Sequence, residues 1–314
     1  MSKNLIVDGM NIAFRSHHIY DVKQGLKTSS GVPTGIVYGF VKRVLKWKRQ
    51  YPEHKITVAW DCPTAKKERQ KVFADYKSNR DRDFKEVESD KEGEEMIDIF
   101  TLQIEFLQNF LKSLNVDQVK AKGYEADDLI GTLARGPMQD DHNIILTSDR
   151  DMLQLVTWKT IQMTPEGKAY DPDKVAEDYG VRPEYLLTFR VFDGDSSDCL
   201  PGLPRFRKKV IARIVNDNDG SIESIYNSDI ENLSDKETEK LAAFEDQAQI
   251  NSQIMTLRTV DDYECIKGNW NKDEINGMCD LLEFKSLRAE LLEANNPNQG
   301  FLRYTDESLL HSTD

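Results

Sequence analysis

This sequence has little cysteine, no long apolar run and no excess of positive charge. Its four cysteines (Cys62, Cys199, Cys265 and Cys279) stand far apart without a CxxC pair, which disfavours a zinc site or a disulfide framework. No apolar run approaches the roughly 18 residues that a membrane helix needs. The opening residues, MSKNLIVDGMN, do not have the pattern of a signal peptide. We therefore expect a soluble, cytoplasmic protein that makes no contact with a membrane.

The acidic composition also disfavours some classes of function. The formal net charge of the 314 residues is -13, which argues against a uniformly basic nucleic-acid coat and against a polybasic membrane anchor. It does not exclude local basic patches. The hydrophobic content of 39% supports a real core, and the length allows one large domain or two modest ones.

The first half of the chain alternates strand patterns with helix patterns. Short apolar runs predict strands at 4–8, 55–61, 116–120, 143–149 and 160–164. Apolar residues at helical spacing predict helices over 34–50 and 98–115, and GYEADD (123–128) opens another. This alternation predicts an α/β fold, with a mainly parallel sheet and helices on both faces. After residue 170 the sequence is mostly helical, and residues 220–314 carry no motif that we can interpret.

A charge switch interrupts the alternation at about 64–97. Residues 66–82 hold seven Lys/Arg against three Asp/Glu, whereas residues 83–98 hold two against eight. The segment has no clear apolar stripe, so it is either an insertion with a function of its own or a solvated linker.

Acidic residues follow several of the predicted elements. Asp8, Asp61 and Asp149 end three strands, and Glu125, Asp127 and Asp128 open a helix. Because the carboxyl ends of parallel strands form the ligand-binding crevice of an open sheet, these acids should converge. Each alone is most often a turn former or a helix cap. As a set they would repel one another, and bound divalent cations such as Mg²⁺ would relieve that repulsion.

Six segments together resemble the 5′-nuclease family of flap endonucleases, phage 5′→3′ exonucleases and the N-terminal nuclease domain of bacterial DNA polymerase I. They are LIVDGMN, AWD, YKSNR, GYEADDLIG, TSDRDMLQL and GDSSDCLPGLP, in that order, and they cover about residues 3–215. The resemblance implies a PIN-like nuclease core at 1–180 with a helical arch at about 64–97. It also implies a helical duplex-binding region of helix–turn–helix type within 181–314.

The resemblance further implies two Mg²⁺ ions, for which Mn²⁺ could substitute. Asp8, Asp61, Glu125 and Asp127 would hold the first ion. Asp149, Asp151, Asp195 and Asp198 would hold the second, and Asp128 would act through water. Which acids are shared between the ions stays open, and Asp128 and Asp198 could instead be structural.

The arch would carry a single-stranded 5′ end. In YKSNR, Tyr76 would stack on a base, and Lys77 and Arg80 would hold the scissile phosphate as catalytic residues. Lys66, Lys67 and Arg69 would contact other phosphates, with Arg15 a weaker candidate.

One departure concerns the segment after the last acid. The family usually continues PGVPGIGxKTA, whose glycines expose backbone groups to duplex phosphate and to K⁺. Here Arg205 and Arg207 stand where two of those glycines are expected, which makes K⁺ binding doubtful. We expect Arg205, Arg207, Lys208 and Lys209 to contact the duplex through their side chains instead, the alternative being a solvated basic helix.

The sequence thus predicts a metal-dependent 5′→3′ exonuclease and flap endonuclease of a bacterial or phage-infected cell. Its substrates would be DNA with 5′ flaps or free 5′ ends and RNA primers on DNA. We expect a monomer with a possible replication-protein partner. The alternatives are a catalytically silent scaffold that binds branched DNA and a PIN-type ribonuclease.

Overall fold

The computed structural model of the chain describes residues 1–79 and 91–294. Within them, seven strands form one sheet of order β6-β5-β4-β1-β2-β3-β7. The strands are β1 Lys3–Asp8, β2 Lys55–Trp60, β3 Asp117–Lys120, β4 His142–Leu146, β5 Thr160–Met163, β6 Ala169–Tyr170 and β7 Glu264–Ile266.

Five of these strands are parallel, as the sequence predicts. Strands β1 to β5 pair in parallel, and β1 lies between β2 and β4. The edge strands β6 and β7 pair antiparallel to their neighbours. Neither edge strand was predicted, because each has only two or three residues and β7 is not buried, so neither leaves an apolar run in the sequence.

Helices flank the sheet and fill the C-terminal half. The first group is α1 Gly9–Ser16, α2 Gly35–Gln50, α3 Ala65–Gln70, α4 Lys91–Ser113 and α5 Ala126–Arg135. The second group is α6 Pro172–Tyr179, α7 Pro183–Asp193, α8 Lys208–Asp217, α9 Ile222–Asn227, α10 Asp235–Ala243, α11 Glu245–Met255, α12 Lys272–Leu281 and α13 Lys285–Ala294. Helix α4 begins seven residues before the predicted helix of 98–115.

The sheet is buried on both faces. Along β1, Leu5 and Val7 point into one apolar core, which α1, α2, α4, α12 and α13 complete. Ile6 points the other way, into a second core formed with α5. Alternation of side chains along a strand explains this division, and the prediction of helices on both faces is confirmed.

A third apolar core lies among α6 to α11. The chain then returns to the sheet. Residues after 256 supply Leu257 and Val260 to the core around α5, and later α12 and α13 to the core on the opposite face. The predicted boundary at residue 180 therefore does not separate the apolar cores. The predicted helix–turn–helix function of the C-terminal region stays a prediction.

The base of the predicted arch packs against the protein body. Ala65 and Tyr76 are almost fully buried, so this part of 64–97 is not a solvated linker. The remainder, 80–90 with Arg80, lies outside the described residues. No helix in the described part of the chain is long and apolar enough to span a membrane.

Candidate metal and nucleic-acid site

Three acids gather at the carboxyl edge of the central strands. Asp8 is the last residue of β1, and Asp61 directly follows β2. Strand β4 ends at Leu146 and not at 149 as predicted, so Asp149 lies in the loop beyond it. Because β2, β1 and β4 are adjacent and parallel, these three loops open on the same crevice.

Asp8 is buried in unfavourable surroundings for a charge. Its carboxylate accepts hydrogen bonds from the backbone N–H of Asn11 at 3.0 Å and from Thr147 Oγ1 at 2.9 Å. Burial nevertheless raises the pKa of Asp8 to about 7, and the negative charges of Asp61 and Asp149 contribute to the rise. The two hydrogen bonds act in the opposite direction but do not cancel it.

Two further acids show the same repulsion. Burial, followed by the charges of Asp149 and Asp8, raises the pKa of Asp127 well above its ordinary value. Burial and the charge of Asp149 raise the pKa of Asp151 to about 7. Neighbouring carboxylates therefore repel Asp8, Asp127 and Asp151, and the cations Lys77 and Arg190 offset this effect on Asp127 and Asp151 without cancelling it.

Glu125 has the opposite environment. It is the N-cap of α5 and receives hydrogen bonds from Lys77 Nζ at 3.0 Å and from the hydroxyl of Tyr76 at 3.0 Å. Arg69 Nε lies 3.3 Å from the same carboxylate. Burial raises the pKa of Glu125, but Lys77 and Arg69 outweigh burial and hold that pKa below its ordinary value.

These contacts correct two predicted DNA-binding residues. Tyr76 is 1% exposed and Arg69 is 8% exposed, so neither side chain can reach a base or a phosphate. The resemblance assigns both side chains to an arch that contacts DNA, whereas in the structure they contact the carboxylate of Glu125. Lys77 lies against Glu125, and its predicted role at the scissile phosphate stays a prediction. Its backbone adopts a φ of +53°, unusual for a residue with a side chain.

Asp128 also departs from its predicted role. Its side chain is completely buried, and both oxygens are occupied by arginines. Oδ1 accepts from Arg69 Nη2 at 3.0 Å, and Oδ2 accepts from Arg258 Nη2 at 2.6 Å. A carboxylate held in this way has no oxygen facing the crevice, so Asp128 is a structural anchor and not a metal ligand.

The acids of TSDRD and GDSSD are joined by Arg190, which the sequence reasoning missed. Arg190 is 3% exposed. Its Nε donates to Asp151 at 3.0 Å and its Nη2 donates to Asp195. Burial raises the pKa of Asp195, but the hydrogen bonds from Ser197 and the charge of Arg190 bring it below the ordinary value. The signal in the sequence was a lone arginine inside the apolar helix PEYLLTFRVFD.

The arch base also touches the GDSSD loop. The backbone N–H of Lys77 donates to the carbonyl of Asp198 at 3.2 Å. The amide of Asn79 donates to the carbonyls of Ser196 and Ser197 at 3.4 and 3.1 Å. The YKSN segment therefore contacts both predicted acid groups, through Glu125 on one side and the GDSSD loop on the other.

The remaining basic candidates lie at the surface to different degrees. Arg15 is half-buried and ion-paired to Glu166, and Lys66 is half-buried beside the exposed Lys67. The four basic residues before and within α8 (Arg205, Arg207, Lys208 and Lys209) are exposed, and Lys208 pairs with Asp193 at 2.7 Å. Their roles stay predictions.

Arg205 keeps the backbone of the glycine it replaces. Its φ is +65°, the left-handed region that favours glycine, whereas Arg207 has an extended φ of -83°. The turn before α8 therefore adopts a glycine-type shape with an arginine side chain projecting from it. A cavity of about 500 Å³ lies beside this turn, lined in part by Arg150, Arg190 and Lys208.

The acids fit a hard divalent cation by their chemistry. They supply only oxygen donors, which Mg²⁺ prefers, and their repulsion is the kind that a cation relieves. Within 1–79 and 91–294, however, no three Asp, Glu, His or Cys side chains already form a cage for an ion. Lys77 and Arg190 hold Glu125, Asp151 and Asp195 by ion pairs, so a cation would have to compete with them.

Known proteins resemble this chain in sequence and in fold. DNA polymerase I of Pseudomonas aeruginosa is 31% identical over 308 residues, covering 92% of this chain and 31% of that protein. The chain thus spans about a third of the length of the curated relatives it matches. The match runs well beyond residue 215, where the recognisable motifs end.

Two solved structures share the fold. The T5 5′-exonuclease with bound zinc superposes with a TM-score of 0.67 at 19% identity, covering 93% of this chain and 99% of that one. Flap endonuclease-1 of Methanococcus jannaschii gives a TM-score of 0.61 at 16% identity, covering 93% and 91%. A family model described as the 5′-3′ exonuclease N-terminal resolvase-like domain matches residues 3–180, more than half of the chain and every acid of the crevice except Asp195 and Asp198. The chain belongs to the 5′-3′ exonuclease family.

Proposed function

We propose that the chain is a divalent-metal-dependent 5′ nuclease that uses two Mg²⁺ ions, with Mn²⁺ as a substitute. The observation that carries this proposal is the cluster of acids at the carboxyl edge of the sheet, where burial and then mutual repulsion raise the pKa values of Asp8, Asp127 and Asp151. Strongly raised pKa values that cluster in one crevice are typical of functional sites. The proposed reaction is phosphodiester hydrolysis that leaves a 5′-phosphate and a 3′-hydroxyl.

Asp8, Asp61, Glu125 and Asp127 would hold the first ion, and Asp149, Asp151, Asp195 and Asp198 the second. When bound, the ions would activate the attacking water and stabilise the leaving oxygen. Asp128 is left out of the set because its oxygens are already occupied.

The chain's own cations would orient both the acids and the substrate. Arg190 fixes the carboxylates of Asp151 and Asp195 relative to each other. The ammonium of Lys77 lies against Glu125, at the edge of the crevice where a phosphate would enter. An ammonium on a flexible stem can turn from a carboxylate to a phosphate without moving the backbone.

The proposed substrates are DNA with 5′ flaps or free 5′ ends and RNA primers on DNA. The exposed basic residues at α8 would contact the phosphates of the duplex, and Lys66, Lys67 and Arg15 those near the crevice. Such local patches bind phosphate despite an acidic net charge. K⁺ stays doubtful, since only the backbone of Arg205 keeps the glycine geometry. We further propose that the protein is a monomer in the cytoplasm of a bacterial or phage-infected cell and that it acts with a replication protein.

One assay separates this function from its alternatives. A 5′-labelled flap duplex and a matched RNA hairpin are each incubated with the protein, in Mg²⁺ or in chelator. We expect Mg²⁺-dependent cleavage of the flap alone. Flap binding without cleavage would favour a silent scaffold, and cleavage of the hairpin alone would favour a PIN-type ribonuclease.

Asp149→Asn tests the acid cluster itself. Turnover should fall by about two orders of magnitude or more, as expected when a metal ligand is lost. Flap binding should be retained or become tighter, because negative charge near the phosphate is removed. The control is Asp140→Asn, a mostly exposed carboxylate that pairs with Lys159. Cleavage by Asp149→Asn at the wild-type rate would refute the assignment.

A further inference from the structure

The segment between α11 and β7 lies directly against the acid-bearing helix. Within it, the backbone N–H of Val260 donates to Thr132 Oγ1 on α5 at 3.0 Å, and Leu257 packs into the core around that helix. Arg258 stands between them. This segment belongs to the region 220–314, to which the sequence assigned no role.

Arg258 contacts three residues of GYEADD (123–128). Its Nε and Nη2 donate to Asp128 Oδ2 at 3.1 and 2.6 Å, and its backbone N–H donates to Asp128 Oδ1 at 2.9 Å. Its Nη2 also donates to the carbonyl of Gly123 at 3.1 Å. The guanidinium lies over the ring of Tyr124, 4.5 Å from the centroid.

Asp128 connects Arg258 to the residues proposed to bind metal. Its Oδ2 also accepts the backbone N–H of Glu125 at 3.3 Å, as one half of a capping box at the start of α5. Glu125 and Asp127 both lie in that first turn. Because Asp128 has no exposed surface, its charge needs compensation inside the protein, which Arg69 and Arg258 provide.

The two arginines of Asp128 do different things. Arg69 also lies against Glu125 and donates to the carbonyl of Ile254, so it ties the arch base to the end of α11. Within 1–79 and 91–294, Arg258 pairs with Asp128 and with no other acid of the crevice. Arg258 links residues 123–124 to the carboxylate of Asp128. This link fixes the position of the first turn of α5.

We propose that Arg258 is a positioning residue for divalent-metal binding, acting through Asp128 on Glu125 and Asp127. The inference rests on the proposed function, because it assumes that those two acids bind metal. Only arginine presents a planar fork that can reach Asp128 and the Gly123 carbonyl together. Partners behind a metal ligand affect affinity when they fix the ligand's orientation.

The test compares Arg258→Gln and Arg258→Lys with wild type by calorimetric titration of Mn²⁺ into the metal-free chain. Both variants should bind Mn²⁺ about tenfold more weakly or worse. Arg258→Lys should not restore the wild-type Mn²⁺ affinity, because lysine keeps the positive charge but lacks the planar guanidinium. In flap cleavage, the Mg²⁺ concentration for half-maximal rate should rise by a similar factor, while the rate at saturating Mg²⁺ changes much less.

The control is Arg288→Gln, which removes an arginine of α13 that pairs with Asp280. It should leave the Mn²⁺ affinity unchanged. Melting temperatures in chelator show whether each variant folds. If Arg258→Gln does not fold, Arg258→Lys carries the test, since it preserves a positive charge beside Asp128.

A double variant identifies the route. If Arg258 acts through Asp128, then Asp128→Asn with Arg258→Gln should bind Mn²⁺ no more weakly than Asp128→Asn alone. Additive losses would overturn the route, and a folded Arg258→Gln with wild-type Mn²⁺ affinity would overturn the inference. If the wild-type chain itself bound no Mn²⁺ and cleaved no flap, the proposed function would fail and the inference with it.

Discussion

Replacing Asp8 by asparagine should stabilise the metal-free protein at alkaline pH. The ordinary pKa of 3.8 rises to about 7 in the fold, so between these values the folded state binds a proton that the unfolded state does not. Stability therefore falls as the pH rises through this range, and the full penalty applies above it. Asparagine carries no charge, and its amide oxygen can still accept the N–H of Asn11.

The magnitude follows from the same two values. A rise from 3.8 to about 7 corresponds to about 4 kcal/mol at pH 8, at about 1.4 kcal/mol for each pH unit. At pH 5 the destabilisation covers only the interval between 3.8 and 5, which corresponds to about 1.6 kcal/mol. The repulsion is shared with Asp61 and Asp149, and the amide fits Thr147 less well. We therefore expect a net gain of about 1–3 kcal/mol at pH 8 and less than half of it at pH 5.

Urea unfolding in EDTA at both pH values measures the effect. The control is Asp262→Asn, which removes a carboxylate from an exposed position and should change the free energy of unfolding little at either pH. Adding Mg²⁺ at pH 8 should stabilise the wild type more than Asp8→Asn, because the cation relieves the repulsion that the variant lacks. A variant less stable than wild type at pH 8, or equally stabilised at both pH values, would refute the reasoning.

Three further changes test other parts of the structure. Arg190→Met leaves two half-buried acids without their cation and should lower the free energy of unfolding by about 3 kcal/mol, measured by urea unfolding at pH 7. Arg205→Gly relieves a left-handed backbone and should raise it by up to about 1 kcal/mol; a loss of stability would show that the side chain contributes more than the strain. Alanine at Arg205, Arg207 and Lys208 together should flatten the salt dependence of duplex binding by up to about three log–log units, and an unchanged slope in a binding titration would place these side chains away from DNA.

The sequence located the acids of the strand ends because its apolar runs mark the strands and the topology brings their ends together. It could not distinguish Asp127 from Asp128, which are adjacent and of one residue type. The difference depends on Arg258, 130 residues further along the chain. No local pattern records a contact at that separation, and Arg258 stands in a segment without a motif.

Tyr76 shows a second limit. Its neighbours Lys77, Ser78 and Asn79 are polar, so the local sequence favours an exposed position. In the structure its ring fills the core of α6–α11 and its hydroxyl meets Glu125. Elements that follow about a hundred residues later bury Tyr76. The pairing of Arg190 with Asp151 likewise joins residues that are 39 apart in the sequence.

The pairing of β3 with β7 means that the candidate site can be completed only late in the synthesis of the chain. Val119 lies opposite Cys265, and Arg258 emerges from the ribosome only shortly before that strand. At roughly 5–20 residues per second, the acid-bearing loop waits on the order of ten seconds for the arginine that compensates Asp128. Contacts between such distant parts of a chain also form slowly. A nascent chain that already carries Asp8, Asp61, Glu125 and Asp127 would thus lack a finished site until Arg258 and β7 have been made.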